Sequence, residues 1–108
     1  MTAPFPRSAA GESTLVTFGT FDVFHFGHLS LLERARALGS RLVVGVSTDD
    51  LNLSKKGRAS VFSQQERCRI VGALRCVDET FLEESLERKR EYLLRHRAYP
   101  GNGRRLDR

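Results

Sequence analysis

Apolar residues along this chain fall in short blocks whose spacing switches between strand and helix periods. Leu15 to Phe18 is a short apolar run closed by Gly19, which predicts a first strand. From Phe26 to Leu38 the positions Leu29, Leu31, Leu32, Ala35 and Leu38 recur at helical spacing, and Gly39 supplies a stop. Leu42 to Val46 is nearly all β-branched or apolar, as in a strand buried on both faces of a parallel sheet. Residues 47–62 are polar and read as a loop long enough to be functional. Ser63 with Glu66 forms a capping box, and the helix it opens runs through Ile70, Val71 and Leu74. Val77 to Leu82 predicts a weaker third strand. Glu84 to His96 predicts a charged helix with Leu86, Leu93 and Leu94 as its apolar stripe.

Strand and helix alternating three times imply parallel pairing through right-handed crossovers. The expected fold class is therefore α/β, a Rossmann-like three-layer α/β/α arrangement on a parallel sheet truncated to about three strands. Residues 1–13, with Pro4, Pro6 and Gly11, read as a flexible leader; 14–98 form the domain, and 99–108 a disordered basic tail. Ligands of such sheets bind at the carboxyl ends of strands, where strand order reverses. The first strand ends at Gly19, so a site is expected between Gly19 and His28.

Charge adds little to this picture. The net charge is +5, but residues 1–85 hold ten basic and ten acidic side chains, and 86–108 hold eight and three. A basic tail with Tyr92 and Tyr99 is not the stripe with stacking aromatics that nucleic acid calls for, so no nucleic-acid partner is expected. No run approaches the ~18 apolar residues of a membrane span, and no charged-then-apolar leader opens the chain, so a cytoplasmic protein is expected. Cys68 and Cys76 lack a CxxC partner or a histidine cluster and read as reduced, buried thiols rather than metal ligands.

The chemistry is concentrated in Gly19-Thr20-Phe21-Asp22-Val23-Phe24-His25-Phe26-Gly27-His28. Gly19 suits a tight turn, and Gly27 suits close approach of backbone to a ligand. His25 and His28 are three apart at a helix start, so both rings can face one ligand. The helix end adds N–H groups and partial positive charge that favour phosphate. A structural histidine would account for either ring alone, but the pair with the intervening glycine points to phosphate contact. A zinc pair would ordinarily sit at i, i+4 with a further ligand, and none is evident.

At these residues the chain resembles the cytidylyltransferase-like superfamily, whose signature HxGH is His25-Phe26-Gly27-His28 here. The resemblance is closest to the glycerol-3-phosphate cytidylyltransferase family. It extends through GTFD at Gly19 to Asp22, LLERA at Leu31 to Ala35, STD at Ser47 to Asp49, Asn52-Leu53, Glu66-Arg67, and Arg75 with Val77-Asp78. It implies transfer of CMP from CTP to a small phosphorylated alcohol, with release of pyrophosphate and with Mg²⁺ carried on the triphosphate. By the same resemblance Thr20, Phe21 and His25, Phe26, Gly27 and His28 contact the nucleotide, with Gly19 and Asp22 in the same segment. Lys55 falls at the substrate-phosphate lysine and Lys56 near the triphosphate lysine, with loop spacing shifted by one so that the two could be exchanged. Lys89 aligns with a second substrate lysine. Asp22 and Asp49 are candidates for metal or ribose contact, Asp49 equally for a structural role. Arg67 and Arg75 lie eight apart on the expected helix, where a solvated face is the usual meaning; the resemblance makes Arg75 a candidate for the nucleotide pocket. A homodimer is compatible with all of this.

The resemblance covers Val16 to about His96. Related enzymes continue with a strand ending in GDDW and later an RTxGISTT segment, and Tyr99 to Arg108 matches neither. The expectation is an unpaired edge on the first strand and a pocket short of one wall. One permitted set of codons for Tyr99 to Arg108, read one base later, encodes TLVMGDDWT, so a frameshift is the expected origin of this ending. The expected function is a nucleotidyltransferase impaired by truncation. A non-catalytic nucleotide-binding remnant and an adenylyltransferase of the same fold are the alternatives.

Overall fold

The computed structural model describes residues 13–96 and 98–100. Three strands of five or more residues form the sheet: β1 Thr14–Gly19, β2 Arg41–Ser47 and β3 Glu79–Glu83. A three-residue strand, β4 Ala98–Pro100, joins them, and the spatial order is β3-β2-β1-β4, all parallel. The connecting helices are α1 Phe26–Ala37, α2 Asp49–Lys56, α3 Gln64–Gly72 and α4 Lys89–His96, the last preceded by a 3₁₀ turn at Leu86–Arg88. The α/β class and parallel sheet are as expected from the sequence. The expectation of a bare β1 edge is corrected for its amino half, where Ala98–Pro100 pairs beside Thr14–Val16; Thr17–Gly19 has no partner on that side among the described residues. That pairing was hidden because a three-residue strand is too short to show a period, and Pro100 has no N–H for a ladder. The leader up to residue 12 and the tail from 101 on lie outside the described residues.

Side chains alternate across the sheet and make two cores. Leu15, Leu42, Val44 and Val46 face α1 and α3, where they meet Leu32, Ala35 and Val71. Val16 and Val43 face the other way, onto Leu93 of α4, with Phe18 and Phe81 against them. This is the three-layer arrangement. β2 is buried along nearly its whole length, as its unbroken apolar sequence predicts for an inner strand.

Two elements differ from the sequence reading. Residues 49–56 are helix, not loop: Thr48 caps the start by accepting the Leu51 N–H at 3.1 Å, and Gly57 closes it in the left-handed region at φ 74°. Asp49 and Asp50 in the first turn and Lys55 and Lys56 in the last suit the helix dipole. The apolar stripe of α4 also shifts, since Tyr92 and Leu93 are buried while Leu94 is 71% exposed. Both thiols are free; Cys76 is buried and Cys68 half-buried. No helix among the described residues is long and apolar enough to cross a membrane.

Candidate active site at the carboxyl ends of the strands

Strand order reverses between β1 and β4, so the carboxyl end of β1 is where a crevice should open. A cleft of about 280 Å³ lies there, lined by Phe18 to Asp22, by His28 and Leu31 of α1, and by Lys56 of α2. The turn that builds it is strained. Phe21 and Val23 both hold positive φ, 53° and 48°, which costs about 1–3 kcal/mol for each non-glycine residue. Phe21 is nonetheless 4% exposed, its ring anchored in the core beside Leu32 and Val46. Gly19 makes room for that ring, since a Cβ there would stand 2.7 Å from Phe21 Cε2. Its smallness is needed for packing rather than for the turn itself, which Phe21 and Val23 carry.

His25 and His28 form the cap of α1. The Gly27 N–H donates to His25 Nδ1 at 3.0 Å, and the His25 N–H donates to His28 Nδ1 at 3.1 Å. Each Nδ1 is therefore the lone-pair nitrogen, and each ring proton sits on Nε2. The rings stack with centroids 4.0 Å apart, and Phe24 and Phe21 pack against His28 at 5.2 and 5.6 Å. Burial holds the His28 pKa below its ordinary value, and His25 adds to this; the Asp22 charge pulls weakly the other way. Two consequences correct the sequence reading. The Gly27 N–H of the first turn and the N-cap His25 N–H are spent on imidazole nitrogens, so each ring keeps its Nε2–H as the donor to offer outward. Gly27 is glycine because a Cβ would meet His25 Cε1 at 2.7 Å, blocking the ring from its capping position.

Behind the histidines lies a polar floor that the sequence did not reveal. The Lys56 ammonium donates to Thr20 Oγ1 at 3.1 Å. Ser47 donates to Asn52 Oδ1 at 2.7 Å, Thr20 Oγ1 is 3.3 Å from the same oxygen, and Asn52 Nδ2 donates to Ser60 Oγ at 2.7 Å. Arg67 is fully buried and joins four segments. Its Nε donates to the Phe62 carbonyl, one terminal nitrogen to the Thr20 and Ser47 carbonyls, and the other to Asp49, all within 2.7–2.9 Å. The expected solvated role for Arg67 is thus overturned. Its sequence signals were the Glu66-Arg67 pair of the resemblance and its place in the first turn after a capping box, and neither shows burial.

Asp22 accepts from the Val61 and Phe62 N–H groups at 2.7 and 2.9 Å. Burial pushes its carboxyl up, but these bonds and one from Val23 outweigh it and hold the pKa below the usual value. Asp49 likewise spends its oxygens on Arg67 and on the Gln64 N–H. Both carboxylates tie segments together. Among the described residues no three His, Cys, Asp or Glu side chains converge to hold a metal ion.

Lys89 places its ammonium 4.7 Å from the centre of the Phe18 ring and 3.9 Å from Glu83 Oε2. Lys55 acts electrostatically on the same Glu83. Of the two adjacent lysines of α2, Lys56 meets the Thr20 hydroxyl, while the charge of Lys55 only helps to pull the Glu83 carboxyl down. Phe26, 76% exposed, heads α1 outside the cleft lining. Arg75 is not brought to the site. Helix α3 ends at Gly72, so Arg75 is not on the helix with Arg67 and lies exposed in the turn entering β3, at the amino end of the sheet.

Fold and site define an α/β protein whose β1 end carries two imidazoles and the Lys56 ammonium. The chain belongs to the cytidylyltransferase-like family, whose model matches residues 16–99. It is similar to the glycerol-3-phosphate cytidylyltransferase of Bacillus subtilis (strain 168), with 44% identity over 82 residues, covering 76% of this chain and 63% of that protein. The chain thus spans somewhat under two thirds of the length of that relative. The FAD synthase of Thermococcus sibiricus is 41% identical over 70 residues, 65% of this chain and 47% of that protein. In structure the chain resembles the lipopolysaccharide core biosynthesis protein of Thermoplasma volcanium GSS1, with a TM-score of 0.72 and 25% identity over 82% of this chain and 70% of that one.

Proposed function

We propose that this chain forms the phosphate-binding part of a nucleotidyltransferase of glycerol-3-phosphate cytidylyltransferase type. In this reading it transfers CMP from CTP to a small phosphorylated alcohol and releases pyrophosphate. The observation that carries it is the pair of imidazoles whose Nδ1 atoms are both capped by backbone N–H groups, leaving two Nε2–H donors at the β1 end. An oxygen of the acceptor phosphate attacks the α-phosphorus in line, and the bond to the leaving pyrophosphate breaks. Negative charge moves onto that leaving group, so positioning and fixed donors carry the rate. His25 and His28 donate to it, and Lys56 adds charge beside Thr20. Lys55 and Lys89, on the Glu83 side, hold the acceptor phosphate.

The described residues do not fit a protein-held cation, because Asp22 and Asp49 are committed to backbone and Arg67. Mg²⁺ in this reading is carried on the triphosphate, and no step here depends on it. The test is pyrophosphate release by the full chain from CTP with sn-glycerol 3-phosphate. Binding of CTP without release would instead favour a non-catalytic nucleotide-binding role. A second reading is an adenylyltransferase of the same fold, favoured by the FAD synthase among the relatives and by a motif that addresses phosphate rather than base. Faster turnover of ATP than of CTP would establish it.

A further inference from the structure

Glu83 is the last residue of β3 and pairs beside Ser47 of β2, on the same strand ends as the histidine cleft. Its side chain is 2% exposed. Its Oε2 is buried and receives no hydrogen bond among the described residues. A buried carboxylate oxygen without a donor is rare, because nothing replaces the water it has given up. Burial pushes the Glu83 carboxyl up, and the charges of Lys89 and Lys55 pull it back. Neither effect supplies the missing bond, since Lys89 Nζ stands 3.9 Å away, beyond hydrogen-bond reach.

Beside Phe18, then, one buried acceptor in need of a donor stands 3.9 Å from the Lys89 ammonium and within the influence of the Lys55 charge. The lysines attract a phosphate dianion. The carboxylate repels that dianion but accepts readily from a hydroxyl. One ligand chemistry satisfies all three groups: a phosphate at one end, with a free hydroxyl a few bonds away.

We propose that Glu83 is the residue that recognises a hydroxyl of the acceptor, its Oε2 accepting an O–H from a polyol monophosphate whose phosphate lies on Lys55 and Lys89. This rests on the reading of those lysines as the acceptor-phosphate site. It adds a rule of selection, that the phosphorylated alcohol must carry a second hydroxyl. An alkyl phosphate of the same length leaves Oε2 unsatisfied and binds poorly. A carboxylate that only steadies Lys89, or that keeps a buried water, would make no such distinction.

The test is calorimetric binding of sn-glycerol 3-phosphate and n-propyl phosphate to the full chain. The two probes share a phosphate and three carbons and differ only in hydroxyls. The expected result is about tenfold or tighter binding of glycerol phosphate, the size of one hydrogen bond to a charged group. Glu83→Leu should bring the two within about twofold, because glycerol phosphate alone loses a hydrogen bond while relief of the carboxylate's repulsion favours both phosphates alike. Lys89→Met should weaken both alike. Equal binding to the unaltered chain overturns the proposal whether or not the variants fold, and so does a preference that survives Glu83→Leu. If neither phosphate binds the unaltered chain, the acceptor site itself is wrong and the proposal falls with it, a result distinct from equal binding.

Discussion

Each end of the sheet is stapled by a buried arginine, and the two ends differ in what the staple leaves over. At the amino end Arg36, 2% exposed, pairs with Asp78 at 3.2 Å and donates to the Gly39 carbonyl at 2.9 Å. Asp78 also accepts the Leu42 N–H, and Ser13 and Ser40 close on each other. Donors and acceptors there are matched. At the carboxyl end Arg67 is just as buried and just as well bonded, yet around it stand two imidazole Nε2–H groups, three lysines and an unsatisfied carboxylate oxygen. The strain at Phe21 and Val23 lies at this end too. One end closes on itself; the other leaves donors, charge and strain that the proposed function assigns to a ligand.

The comparison breaks first on the arginines. Arg36→Met and Arg67→Met should each cost about 3–5 kcal/mol of stability in urea, the loss that follows when one partner of a buried pair is removed. Only Arg67→Met should also lower CTP affinity in the fraction that stays folded, because its guanidinium fixes the Thr20 and Ser47 carbonyls. Equal loss of CTP affinity in both would erase the contrast between the ends.

Next in size is His28→Ala, expected to slow pyrophosphate release by about 10²-fold or more, as for a lost transition-state donor. Stability in urea at pH 7.5 should fall by only about 0.5–2 kcal/mol, the cost of a lost helix cap. Unchanged turnover would mean the rings serve only as a helix cap. Smaller again are the lysines: Lys55→Ala should raise the acceptor KM about tenfold while leaving that of CTP nearly alone, and Lys56→Ala should do the reverse. A rise confined to the CTP term for Lys55→Ala would exchange their roles.

The smallest effect is on stability against pH. The His28 pKa is lowered on folding, so between its folded value and its ordinary value of about 6.5 the unfolded chain binds the extra proton. Stability should therefore fall as pH drops through 6.5, and His28→Ala should flatten that slope. A slope unchanged by the substitution would place the titration elsewhere.

The order of strands, the parallel sheet and a cleft at the end of β1 were legible because periods, breakers and HxGH are local signals. Helix α2 was also written locally, in Thr48, the acidic and basic turns and Gly57, but its polar composition masked it. Arg67, Asn52 and Glu83 were not legible as buried groups, since what buries them is distant in sequence. Arg67 meets the Thr20 and Ser47 carbonyls far along the chain, and Glu83 is buried only when β3 lies beside β2. Arg75 shows the converse. Its neighbours in sequence resembled the family, while the turn that holds it points to the other end of the sheet.

The central claim is that His25 and His28 present Nε2–H donors to a triphosphate. Long-range ¹H–¹⁵N spectra of the histidine rings, recorded on the full chain at pH 7.5 and titrated with CTP, test it most directly. Both rings should show unprotonated Nδ1 and protonated Nε2 before CTP is added, and both Nε2 signals should move as it binds. Protonated Nδ1 on either ring, or Nε2 signals that stay still while CTP binds, would contradict it.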